Sequence, residues 1–233
     1  MATQNLSAWK SNTLNLNSLR KQLSAFLDDT AYIYTLTSLT RDASGIIQQN
    51  GSAPNVEDGI VTLCTCKHYM RQGNKGKWKG VWIIGLTPIV KNKGFDGEKN
   101  YVFYITRVEK EFTNHKEFYD YLHLNHPKAI IPKNGSRNEL GDIFEPKTGI
   151  VIDGVTELNP ISYIDASKIH NHGTAWIHDV SLNPLSASPV STPLLLGEIK
   201  KSFVWEKPTI VWKGTKSVRR KKLTLGGAFA LMI

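Results

Sequence analysis

Acidic residues are scarce in this chain and cysteine is nearly absent. Lys and Arg number 29 against 20 Asp and Glu in 233 residues, a formal charge of +9 with a pI near 9.4. That imbalance favours polyanionic partners through a long-range attraction that carries little sequence information. A well-solvated basic protein with no such partner would show the same balance. Cysteine occurs only at Cys64 and Cys66, which leaves no second pair to complete a four-cysteine zinc site. On a strand, the C-x-C spacing sends both side chains to one face. There they either pack as small apolar groups in a reducing compartment, or share a metal or oxidise. No apolar run approaches the roughly 20 residues of a membrane-spanning helix, and no charged segment leads into an apolar one as in a secretory signal. A soluble, cytoplasmic protein without a membrane partner is expected. GxxxxGK[ST] and GxGxxG are also missing, which argues against P-loop and Rossmann nucleotide sites. So are GxSxG, HExxH and H-x-E…C-x-x-C, and with them the support for a named hydrolase, metalloprotease or zinc deaminase.

What is present reads as α+β. Residues 1–15 are polar and read as a flexible start. Leu16, Leu19, Leu23, Phe26 and Leu27 recur at helical spacing with Asn15 or Asn17 as cap, ending near Asp28-Asp29. The span 31–39 is β-branched and aromatic and predicts a strand, and 40–58 predicts a long loop. Strands follow at 60–67, 81–86 and 101–108, separated by the glycine-bearing basic loops NKGKWKG and KNKGFDGEK. Thr113 and Asn114 cap a short helix to about Leu124, a short strand is expected at 149–152, and 194–212 closes the domain. Strands joined without helical crossovers favour a mostly antiparallel curved sheet or small barrel flanked by a few helices. The expected organisation is one domain over 16–212, then a tail at 213–233 that is first basic and then apolar. The apolar end must dock on the core, form a strand or meet a partner chain, so a homodimer through it stays open.

The densest chemistry lies between Ser52 and Pro88. Lys67, His68, Arg71, Lys75, Lys77, Trp78 and Lys79 crowd together. Cations of this kind bind phosphates while an aromatic face stacks a base; a solvated hairpin whose Trp78 caps the core edge would look the same. Tyr34 and Trp82 are further candidates for a base pocket, or else core. Arg219 and Arg220 lie within a basic run from Lys216 to Lys222 that is either a phosphate-binding arm or a solvated tail. His170 and His172 form an H-N-H pair suited to acid–base work near neutral pH or to a divalent metal, or they are surface histidines.

The order APN, TLCTCK, Arg71, WIIGLTP resembles the nucleotide modification associated domain family of phage and bacterial proteins. YVFYITRV followed by EFTNHKEFYDYL, and then Gly141-Asp142-Ile143-Phe144, are similar to that family's later elements. Lys79-Gly80-Val81 departs from the Gly-Asp the family tends to carry before Trp82. The order of strands and basic loops also looks similar to the PUA-like barrels of EVE and YTH domains. The resemblance implies a role in phage or bacterial DNA modification or defence. Two readings follow. The first is a nucleic-acid or modified-nucleotide binder using basic loops and an aromatic pocket, with no cofactor. The second is an enzyme acting on a nucleotide or nucleobase through Asp142 with His170 and His172, with a divalent metal as an option.

Overall fold

The computed structural model describes residues 9, 13–49, 54–56, 59–64, 67–113, 115–129, 146–152, 155–158 and 192–233; at 68, 115–116, 146–152 and 155–158 it describes the backbone only. In chain order the elements are α1 (Leu16–Gln22), β1 (Thr30–Thr35), β2 (Leu39–Arg41), β3 (Ile47–Gln49), β4 (Thr62–Leu63), α2 (His68–Gln72), β5 (Trp82–Leu86) and β6 (Asn100–Phe112). They continue as α3 (His115–Asn125), β7 (Pro146–Ile152), β8 (Val155–Leu158), β9 (Leu194–Val204), β10 (Val211–Trp212), β11 (Lys221–Thr224) and α4 (Leu225–Ala230). The main sheet runs β11-β1-β5-β6-β9-β4, with β10 on β6. It is curled and flanked by helices, so the α+β class with a curved sheet holds. The described ladders are antiparallel apart from β1–β5, which run parallel and so require a long crossover between them.

The chain divides into two compact units built from interleaved stretches. Unit 1 comprises Met1–Ala2, Gly51–Trp78 and Lys110–Leu196; unit 2 comprises Thr3–Asn50, Lys79–Glu109 and Gly197–Ile233. Two of the boundaries fall within strands, since β6 and β9 each contribute residues to both units.

Unit 2 is organised around one apolar face of the sheet. Ala31, Ile33, Trp82, Ile84 and Ile105 from three adjacent strands pack with Leu19 and Leu23 of the α1 region and with Leu225, Ala228 and Phe229 of α4. Asn15 caps α1 by accepting the Ser18 N–H at 2.9 Å, as its sequence position suggests. The helix stops at Gln22, however, and a 3-10 turn at Ser24–Phe26 carries the remaining apolar residues. Part of the supposedly flexible start is anchored as well, because Trp9 is buried and the Leu14 carbonyl accepts the Trp205 indole N–H at 2.9 Å.

Gly85 has a definite packing reason. A Cβ there would lie 2.1 Å from the Tyr104 ring and 2.6 Å from Leu36, so only glycine lets that ring lie across β5. The register shift at this point leaves Phe103 as the extra residue of a β-bulge on β6.

Two expectations need correction, and a third is narrowed. The loop expected over 40–58 contains the β2–β3 hairpin. Its turn is closed by the Asp42 carboxylate, which accepts the Ser44 and Ile46 amides at 2.9 Å, with Gly45 at φ +85°. Strands of three residues are too short to show alternation. The strand expected over 60–67 shrinks to β4 plus a helical turn, α2, which enters through Lys67 in the left-handed region at φ +53°. The apolar tail is no appendage: β11 pairs with β1, and Leu225, Ala228, Phe229 and Met232 are buried in unit 2's own core. Of the courses left open for the apolar end, it takes the strand and the docking on the core.

Candidate nucleic-acid interface

In unit 1 the short helix α2 sorts the basic-aromatic segment by face. Met70 and Arg71 turn inward and are buried, whereas Tyr69 turns outward with 76% of its surface exposed. Burying a guanidinium is costly unless hydrogen bonds replace its water. The Arg71 Nη1 donates to the Pro193 carbonyl at 2.6 Å, and its neighbour Gln72 donates to the Thr192 hydroxyl at 3.1 Å. Arg71 thereby ties α2 to the residues entering β9. β4 pairs with β9 two residues further on, and Asn55 of the APN motif bridges Thr62. Motif residues far apart in sequence therefore meet around the start of one strand. Cys64 packs with Phe112, Phe118, Leu122 and Leu194, as a small apolar residue would; Cys66 lies outside the described residues.

The turn after α2 is held just as firmly. Trp78 is fully buried, and its indole N–H donates to the Arg71 carbonyl at 2.7 Å. The Glu111 carboxylate accepts the backbone amides of Gly76 and Trp78 at 2.7 and 3.2 Å. The Asn74 side chain closes the loop on the Lys77 carbonyl at 2.9 Å. With Arg71, Trp78 and Glu111 as anchors, Lys75 and Lys77 remain exposed on a fixed turn, and Lys67 is half-buried.

This arrangement redistributes the expected roles. Trp78 has no free ring face on which a base could stack, and neither does Trp82. The latter is fully buried in unit 2, with its indole N–H donating to Asp29 at 3.1 Å. Tyr34 is buried too, and its hydroxyl meets that of Tyr104 at 2.7 Å. The exposed aromatic of the segment is Tyr69, which sequence reasoning missed. A helical reading of 68–72 would have found it, since Met70 and Arg71 facing inward leave position 69 outward.

In unit 2 the basic run lies on the edge of the sheet. Strand β11 pairs with β1 from Thr30↔Thr224 to Ile33↔Lys221. Beyond it the Thr35 N–H donates to the Val218 carbonyl at 2.7 Å, and the Val218 side chain is buried. Gly214 lies against Trp212, where a Cβ would come within 2.5 Å of the indole; that indole N–H donates to the Thr215 carbonyl at 3.3 Å. Lys213, Lys216, Arg219, Arg220 and Lys222 are exposed on this pinned segment, and the Lys222 ammonium sits 5.8 Å from the Tyr32 ring centre. Lys79 is likewise an exposed cation of unit 2.

Two other cations of unit 2 are neutralised. Arg107 pairs with Asp29 at 3.2 Å and Glu198 at 3.4 Å, Lys201 also bonds Glu198, and both cations flank the Phe26 ring at 5.1 Å. The shifted carboxyls serve turns. The Ser44 hydroxyl and the Ile46 amide hold Asp42 below the usual carboxylate range. Partial burial pushes Asp96 up, but the Lys99 and Glu98 amides and the Tyr101 hydroxyl outweigh it and leave it lowered. Burial, with Asp96 beside it, raises Tyr101. An open cavity of about 490 Å³ beside α1 is lined by no acidic or histidine side chain, and its Arg20 is bonded to the Phe229 and Met232 carbonyls.

The enzyme reading has no described geometry, since Asp142, His170 and His172 lie outside the described residues. Among the described residues no three His, Cys, Asp or Glu side chains are grouped to hold a metal, and no helix is long and apolar enough to cross a membrane. Comparison with known proteins found no matching family model, curated protein or solved structure.

Proposed function

We propose that this chain binds nucleic acid or a modified nucleotide, in the phage or bacterial DNA-modification or defence setting that its motifs resemble. The observation carrying this reading is the α2 turn. Buried Arg71 and Trp78, with Glu111, fix a loop that leaves Lys75 and Lys77 in water on the segment that also exposes Tyr69. Cations placed with an exposed aromatic suit a phosphate with its base, and stacking one base contributes about 1–3 kcal/mol. A fixed turn limits the ordering entropy that binding must overcome.

Labelled oligonucleotides, plain and base-modified, test this by anisotropy. The expected result is binding that weakens with salt, a loss of about 1–3 kcal/mol for Tyr69→Ala, and a larger loss for the Lys75→Glu/Lys77→Glu pair. Binding unchanged in both variants would reject the turn as the contact surface.

A further inference from the structure

The basic run of unit 2 is a second feature, separate from the α2 turn. Six of the ten residues from Lys213 to Lys222 are Lys or Arg, and none is acidic. The run is held in place by the β11–β1 ladder, the Thr35–Val218 bond, the buried Val218 side chain and the Trp212–Gly214 contact. Among the described residues Lys213, Lys216, Arg219, Lys221 and Lys222 make no ion pair, whereas Arg107 and Lys201 of the same unit are matched to Asp29 and Glu198. Edge strands carry lysine to discourage strand-to-strand aggregation. That role does not call for Lys213, Lys216, Arg219 and Arg220, which precede the strand.

We infer that this ridge grips the phosphodiester backbone of nucleic acid without regard to sequence, so that affinity resides here and base discrimination elsewhere. The inference rests on the nucleic-acid reading above, but on different residues. Backbone neutralisation needs several uncompensated cations held in a fixed array, and no contact to base edges. An anionic lipid surface would draw the same cations, but without the added hold of an inserted apolar side chain, because the one bulky apolar residue of the run, Val218, is buried.

The test uses the full chain and a labelled 20-nucleotide strand of mixed sequence, titrated across salt. The parent is compared with Lys216→Gln/Arg219→Gln/Lys222→Gln and with Lys75→Gln/Lys77→Gln; unfolding curves check that both variants fold. The ridge variant is expected to bind at least about tenfold more weakly near 0.1 M salt, with a log–log salt slope shallower by about 2 for a single strand. Its loss should be equal for plain and base-modified strands. An unchanged slope in the ridge variant, with binding lost in the turn variant, overturns the ridge and leaves the nucleic-acid reading standing. No binding by the parent at low salt overturns both. Binding of polyglutamate or anionic phospholipid vesicles as tight as that of the oligonucleotide would also overturn the ridge as a nucleic-acid surface.

Discussion

Two sets of cations in unit 2 differ in what surrounds them rather than in what they are. Arg107 and Lys201 lie on β6 and β9, share Glu198, and flank the Phe26 ring, and Arg107 also pairs with Asp29. The ridge from Lys213 to Lys222 holds more cations, has no acidic residue within it and is pinned to the outer strand. The first set is internally neutralised and holds structure together. In the second, Lys213, Lys216, Arg219, Lys221 and Lys222 make no ion pair among the described residues. A net charge cannot tell the two apart; the positions of the carboxylates can.

The α2 turn repeats the contrast within a few residues. Arg71 and Trp78 are buried anchors, and Lys75 and Lys77 are what they present. The largest expected effect therefore comes from an anchor. Trp78→Ala should cost about 3–5 kcal/mol of stability, the usual range for emptying a buried tryptophan site, read from urea unfolding. Lys75→Gln/Lys77→Gln should stay within about 0.5 kcal/mol of the parent. Gly85→Ala comes next, at about 1–3 kcal/mol, because the added methyl must displace the Tyr104 ring.

Neutralising one cation of each set then separates structure from surface. Arg107→Gln should lower stability by about 1–2 kcal/mol, since Asp29 and Glu198 lose a charged donor while remaining half-exposed. Arg219→Gln should leave stability within about 0.5 kcal/mol. If thermal unfolding shows equal losses, the distinction between the two sets is wrong.

The smallest effect concerns pH. The folded-state pKa of Asp96 is depressed, so its contribution is fully present above the unfolded value of about 3.9 and disappears as pH falls through the lower folded value. Asp96→Asn should therefore lower stability slightly near neutrality and flatten the acid limb below about pH 4, where variant and parent converge.

Much of the architecture was legible because long elements leave periodic or β-branched signatures. The strands expected at 31–39, 81–86 and 101–108 correspond to β1, which stops at Thr35, to β5, and to β6, which runs on to Phe112; Asn15 is the one of two cap candidates that caps, and the α+β class with a curved sheet holds. The β2–β3 hairpin and α2 were not legible, since three to five residues carry no measurable period. The division into two units was hidden in part because two of its boundaries fall inside the continuous strands β6 and β9. At the candidate interface the cations were visible, but not which of them would be buried. Arg71 resembles its neighbours in sequence, yet it is buried and bonded to the Pro193 carbonyl, 122 positions away. Tyr69 was missed for the same reason as α2.

The most direct test of the account places Arg107→Gln beside Lys216→Gln/Arg219→Gln/Lys222→Gln in one salt-titrated binding assay, with both proteins folded. The account predicts that the Arg107 variant keeps the parental salt slope while the ridge variant becomes shallower by about 2 for a single strand. Equal slopes in all three proteins, or a shallower slope in the Arg107 variant, would contradict it.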